Sequence, residues 1–271
     1  LQVKKFEIVN GRFTLVNKIN PSQLPVSIGK IDFHIDNFNV DEKKLTGKEK
    51  IFFSDNVVLK SRDQQILFPD GRHQLSYRKF RINLEQKIVE FDSCTVAALK
   101  TDSSATEFSI FFDELKMTNI DFDTLYRAEV IKADSVYATN PQFKLNVDLD
   151  QKKKKTQTQS LETIIRHLTG QLSLNFVIVN NASFDINTIR NNNPSSFTSA
   201  GNNFEMQGLT INDDAKRPLR VKKFSMAIRN YENFLRDSLY ALQFDSVHFN
   251  DDRIYLNNFS FQQLTGNKTT N

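Results

Sequence analysis

Tryptophan is absent from this 271-residue chain, and there is a single cysteine, Cys94. One cysteine excludes a disulfide within the chain and argues against a metal site built on thiolates. Eight glycines and six prolines are too few for a collagen-like or linker-rich protein. No apolar run approaches the roughly 18 residues of a membrane-spanning helix, so any signal or anchor is expected outside these residues. Charge of one sign is scarce as well. Lys and Arg number 36 against 32 Asp and Glu, a formal charge of +4. A dedicated nucleic-acid binder would carry a clustered basic face, so no nucleic-acid partner is expected.

Reaction chemistry is also missing. Gly-x-Ser-x-Gly, the Walker phosphate loop and Gly-x-Gly-x-x-Gly do not occur. His34, His73, His167 and His248 lack ligand spacing, and His34 and His248 occupy polar positions of alternating runs. Asp121 and Asp123, Asp213-Asp214 and Asp251-Asp252 read as turn formers rather than paired acids or a calcium loop. No catalytic residue, metal or cofactor is expected.

What the chain does have is 24 Phe and strict period-two alternation, the mark of strands with one buried face. Ile31, Phe33 and Ile35 alternate with polar residues, as do Phe80, Ile82 and Leu84. The pattern recurs at Phe143, Leu145, Val147 and Leu149, at Leu172, Leu174, Phe176 and Ile178, and at Phe224, Met226 and Ile228. After Ile35, two polar residues precede Phe38, and after Leu256, Asn257 and Asn258 precede Phe259. One extra residue in an alternation is a β-bulge, which bends a sheet. Helix signals are few. Ser160 to Thr169 carries Leu161, Ile164, Ile165 and Leu168 at helical spacing, with Ser160 as cap and Gly170 as stop. Asn119 to Arg127 and Asn230 to Leu235 could each hold a short turn.

The chain also repeats itself. Phe6 to Gly11, before Phe13, resembles Phe176 to Asn181, before Phe184. Ile31 to Asp41 resembles Phe204 to Asp213, and Leu75 to Phe91 resembles Leu239 to Leu256. The expected architecture is all-β, a long, strongly curved antiparallel sheet or sheets from two related repeat units, with one short helix near 160–169. Residues 1–149 form the first unit, 150–171 a basic linker and the helix, and 172–271 a second, truncated unit. The first unit continues past its matched hairpin where the second stops, so the natural protein is expected to run beyond Asn271. The lysine run at 152–155 reads as a solvated loop, and Asn191 to Asn203 as a second loop.

An apolar sheet face must be covered. It can close on itself, pack on another sheet, or accept a lipid. A closed core and an acyl-lined groove both fit this sequence. In either, the inward face is expected to include Phe33, Ile35, Phe80, Ile82, Phe143, Leu145, Phe176 and Phe244. Three functions follow: a lipid-binding module, an extracytoplasmic β-sandwich structural or adhesion domain that binds protein or glycan through loops such as Asn191 to Asn203, or a glycoside-processing enzyme with two converging carboxylates.

Three segments carry a family resemblance. Ala133 to Leu145 is a strand, a short break and an Asn-Pro-x-aromatic strand; Asp237 to Phe249 is similar to its usual companion; Leu161 to Ile186 is a short helix leading into Leu-Ser-Leu-Asn-Phe-Val-Ile-Val-Asn-Asn-Ala-Ser-Phe. Together they resemble the AsmA-like proteins of Gram-negative envelopes, of the Bacteroidetes type, which are similar in style to bridge-like lipid-transfer proteins. The resemblance implies a non-enzymatic periplasmic protein, anchored in the inner membrane by a segment outside this chain. It implies a phospholipid or other acyl lipid as partner, a groove-shaped sheet, and a role in lipid traffic or outer-membrane biogenesis.

Overall fold

The alternating runs become strands, and every strand among the described residues enters one sheet. The structure is a computed structural model that describes residues 2–16, 25–39, 54–68, 71–98, 106–128, 130–150, 171–212, 219–235, 239–250 and 252–263. The expected helix at 160–169 and the lysine run lie outside the described residues.

Residues 1–149 hold β1 (Gln2–Leu15), β2 (Val26–Asn39), β3 (Asn56–Leu67), β4 (His73–Asn83), β5 (Ile88–Ala98), β6 (Thr106–Thr118), α1 (Phe122–Ala128), β7 (Val130–Thr139) and β8 (Gln142–Asp148). Residues 171–263 hold β9 (Gln171–Arg190), β10 (Asn193–Ile211), β11 (Leu219–Arg220), β12 (Lys223–Leu235), β13 (Tyr240–Phe249), β14 (Ile254–Asn257) and β15 (Ser260–Gln263). Neighbours run antiparallel from β1 to β7 in sequence order. β7 and β8 are one line of chain broken at Asn140-Pro141. Both pair antiparallel with β6 and parallel with β9. β14 and β15 likewise share one line along β13. The sheet is therefore mixed rather than purely antiparallel, because β9 starts beside β7 and runs the same way.

The short helix α1 overlaps the 119–127 stretch expected to turn and ends one residue beyond it, at Ala128. Asp121 caps it, its carboxylate accepting from the Thr124 amide at 2.9 Å and from the Thr124 hydroxyl. Two expectations are corrected. Asn230 to Leu235 continues β12, paired with β13 from Tyr231 to Leu235. The stretch Asn191 to Asn203 is not a loop. Asn191 and Asn192 (φ 54° and 60°) form a two-residue hairpin turn, and β10 starts at once. Two successive left-handed residues match the twist of antiparallel strands, so this pair closes a hairpin rather than opening a loop. Pro194 is tolerated because β10 there pairs only with β9; its pairing to β12 begins at Thr198.

A row of left-handed residues crosses the sheet at one level: Asn10, Lys30, Asp63, Ser93, Asn140, Asn181, Gly201 and Asn258. The strand registers place them in line, with shifts around Gly11 in β1 and around Asn202 in β10. At each, the inward set steps by three residues instead of two, as from Phe33 and Ile31 to Ile28, or from Leu256 to Phe259. Asn37 and Gly208 belong to a second such row. The same interval separates Asn10 from Asn181, Lys30 from Gly201 and Asn37 from Gly208. Bulges bend strands, and strands bent at one level crease the whole sheet.

Candidate functional site

The creased sheet has two unlike faces. Residues that meet across neighbouring strands define the apolar one. Ile66, Tyr77 and Cys94 pack with Val26, Ile28, Phe80 and Phe91. Ala98 and Phe108 pack with Val96, Ile110 and Leu145. Ile120, Ala133 and Leu174 pack with Val89, Met117, Val136 and Val177. Aromatic contacts carry the face onward. Phe143 stacks on Phe184 at 5.0 Å, Phe184 meets Phe197, Phe197 meets Tyr231, and Tyr231 stacks on Phe244 at 4.3 Å.

A line of deeply buried small or polar residues follows the crease, while Val57, Ala98 and Ile120 are buried as deeply away from it. Cys94 is 1% exposed, Ser61 3%, and Ala182 and Asn202 are fully buried. Gly11 sits on the same line, where an added Cβ would come 2.8 Å from Ile8. Among the described residues every strand belongs to the one sheet; α1 meets β7 and packs Phe122 against the Ile120, Ala133 and Leu174 cluster at one end of the face, and no second layer covers the rest. Small residues sunk in an uncovered face mean that the face is concave, with the crease as its floor. The floor's polar groups are satisfied internally. The Asn202 amide donates to the Ala182 carbonyl at 2.9 Å and accepts from the Ser199 hydroxyl at 3.0 Å. The Tyr77 hydroxyl donates to Ser61 at 3.2 Å.

The walls are Phe, Ile, Leu and Val, and they open toward the sheet edges. Phe13 in β1 is 54% exposed, and Phe259 and Phe261 beside β13 are 57% and 55% exposed. Neither β1 nor the β14–β15 line has an outer strand partner among the described residues. Twelve strand positions, separated by eleven spacings of about 4.8 Å, give the face a length of roughly 50 Å.

The opposite face is polar and ionic. His34 lies between Glu7 (Nδ1 to Oε1, 3.1 Å) and Asp36 (Nε2 to Oδ1, 2.7 Å). Glu90 pairs with Lys116 at 2.7 Å and Arg81 at 3.6 Å. Arg78 Nη2 donates to both Asp92 oxygens at 2.7 and 2.8 Å, which holds the Asp92 carboxyl below its ordinary pKa. Three amide rungs, six residues apart, join the parallel strands: Asn175 to Asp134, Asn181 to Asn140 and Asn187 to Asn146.

Seven expected residues share the concave face: Phe33, Ile35, Phe80, Ile82, Phe143, Leu145 and Phe244. Phe33 meets the Phe6 ring, Ile35 is buried between Phe6 and Val57, and Ile82 pairs with Leu59 and Val89. Phe176 stands apart. The inward set steps from Leu174 to Val177, both in one cluster, so Phe176 points to the polar side and is 37% exposed. The alternation through Leu172 and Leu174 carries no mark of that three-residue step. Phe184, Phe197 and Tyr231 complete the face and were not singled out; the Asn191-Asn192 pair was the signal that Phe197 lies on a strand.

Cys94 is a floor residue, and burial pushes its thiol pKa up to about 12. Asp213, Asp214 and Asp251 lie outside the described residues, and Asp121 is engaged in capping α1. Among the described residues no three His, Cys, Asp or Glu side chains converge as metal ligands, and no helix is long and apolar enough to cross a membrane. Compared with known proteins, the chain matches no protein-family model and no curated protein.

Proposed function

We propose that this chain is a non-enzymatic membrane-biogenesis module that binds or bridges lipid along the concave apolar face. The observation that carries the reading is that face itself: continuous from β1 to β15, lined by aromatic and aliphatic side chains, and, apart from Phe122 of α1 at one end, covered by no other described layer. An acyl chain laid there leaves water at about 0.8 kcal/mol per methylene. The floor of Gly11, Ser61, Cys94, Pro141 and Ala182 leaves room between taller walls, and the exposed edges give headgroups access to water. The polar back face suits a protein that stays in an aqueous compartment while holding lipid.

The resemblance to AsmA-like envelope proteins supplies the setting. On that reading the chain works in the periplasm, tethered to the inner membrane by a segment outside these residues, and its cargo is a phospholipid or other acyl lipid. Native mass spectrometry of the protein purified from an envelope-bearing host tests this. The expected spectrum contains adducts of phospholipid mass, and the purified protein takes up a fluorescent phospholipid. A spectrum of bare protein together with no uptake contradicts the reading.

A further inference from the structure

On the polar face, two like-charged pairs stand side by side. Ser61 and Phe80 face the concave side and pair with each other across β3 and β4, so the residues that flank them point the other way. All four of those residues are cations. Lys60 lies opposite Arg81, and Arg62 opposite Lys79. At the backbone they mark a rectangle of roughly 5 by 7 Å. Like charges directly opposite one another destabilise a sheet. Neighbouring carboxylates relieve little of this repulsion. Arg81 approaches Glu90 to 3.6 Å and Lys79 approaches Asp92 to 3.7 Å, but Lys116 and Arg78 hold those same carboxylates at 2.7 Å. Lys60 and Arg62 are exposed and have no acidic partner among the described residues. The Arg81 Nε is buried and has no acceptor among them either. The four line a hollow of about 560 Å³, to which Lys30 and Arg78 add two more cations and Asp32 and Asp63 two carboxylates. Asp63 is taken up by Lys30 at 3.2 Å, and Asp32 accepts from the Asn10 backbone amide at 3.0 Å.

We propose that this hollow is a phosphate site, which holds a phosphomonoester or free phosphate between Lys60, Arg62, Lys79 and Arg81. A phosphomonoester carries close to two negative charges near neutral pH and three strong acceptor oxygens. An arginine fork matches two such oxygens at once. The bound anion supplies the countercharge that β3 and β4 lack. Cations gathered in one hollow fit a single phosphate group, whereas nucleic acid needs a longer track of phosphate contacts. The site lies on the face opposite the apolar one, so it stands whether or not acyl chains bind there.

The test uses the full chain. Two variants empty the hollow of charge, Lys60→Gln with Arg62→Gln, and Lys79→Gln alone. A control, Lys132→Gln with Lys144→Gln, removes charge from exposed positions on β7 and β8. Thermal melting is followed in inorganic phosphate against sodium chloride of equal ionic strength. Flotation is followed with phosphatidylcholine vesicles, with and without phosphatidic acid. Phosphate should raise the melting temperature of the unsubstituted chain and of the control by about 2–4 °C more than that of either hollow variant, and phosphatidic acid should float the hollow variants several-fold less. A difference in the melting arm assigns the site to free phosphate, and a difference confined to flotation assigns it to a lipid headgroup. Hollow variants that match the control in both arms overturn the proposal.

Discussion

Left-handed backbone is costly for most side chains, at roughly 1–2 kcal/mol each, and asparagine is among the few residues that tolerate it. Eight of the twelve non-glycine residues with positive φ among the described residues are Asn, so the abundance of that residue has a mechanical meaning here. Asn202 does a different job. It fills the floor of the concave face with both ends of its amide bonded. Asn202→Ala leaves the buried Ala182 carbonyl and Arg229 amide without that partner, and should cost about 1–3 kcal/mol in urea unfolding. Asn175→Ala, at a solvent-exposed rung, should cost under about 1 kcal/mol. Equal losses would contradict the placement of Asn202 on the floor. Cys94 provides a second check at this scale. Its buried thiol, with a pKa near 12, should resist a thiol reagent at neutral pH in the folded protein and react at once in denaturant.

At the scale of single elements, charge pairs on the polar face link neighbouring strands. Asp92 on β5 is held ionised chiefly by its hydrogen bond to Arg78 on β4, with Ser93 and Lys79 assisting. Its folded pKa lies below the unfolded value of about 3.9. The stabilisation is therefore complete above that value and lost as pH falls through the folded pKa. Thermal melting should thus weaken below about pH 4, and Asp92→Asn should flatten that acid limb; an unchanged limb would show that the pair contributes nothing. Strands were the most legible elements, because period-two alternation states both the strand and its face. The bulges at Asn37 and Asn258 could be read too, since each inserts a visible polar residue into an apolar pattern. The step from Leu174 to Val177 could not. Phe176 and Ile178 are apolar on both sides of it, so the alternation continues on paper while the chain changes face. A one-residue slip reverses every side chain beyond it, and aligning Phe6 with Phe176 contained that slip, since left-handed Asn10 matches Asn181 rather than Asn180. The turn at Asn191-Asn192 was misread for a related reason: polar residues of a strand near its hairpin resemble a loop in composition.

For the whole molecule, composition indicated an apolar lining but not what it faces. Alternation says that one side of each strand is buried, and a sandwich, a barrel and an open trough all satisfy it. What decides among them is pairing between distant strands, which leaves no local mark on sequence. Here the strands form one sheet with two free edges among the described residues, and the parallel junction of β7 and β8 with β9 joins the strands before residue 149 and after residue 170 into one surface. Phe143 and Phe176 sit on adjacent lines of that sheet, on opposite faces. Each can be replaced singly by a photo-cross-linking phenylalanine analogue and irradiated with phospholipid bound. Lipid adducts at position 143, with few or none at 176, are the predicted result. Equal labelling at the two positions, or labelling at 176 alone, would contradict a concave apolar face that holds the acyl chain.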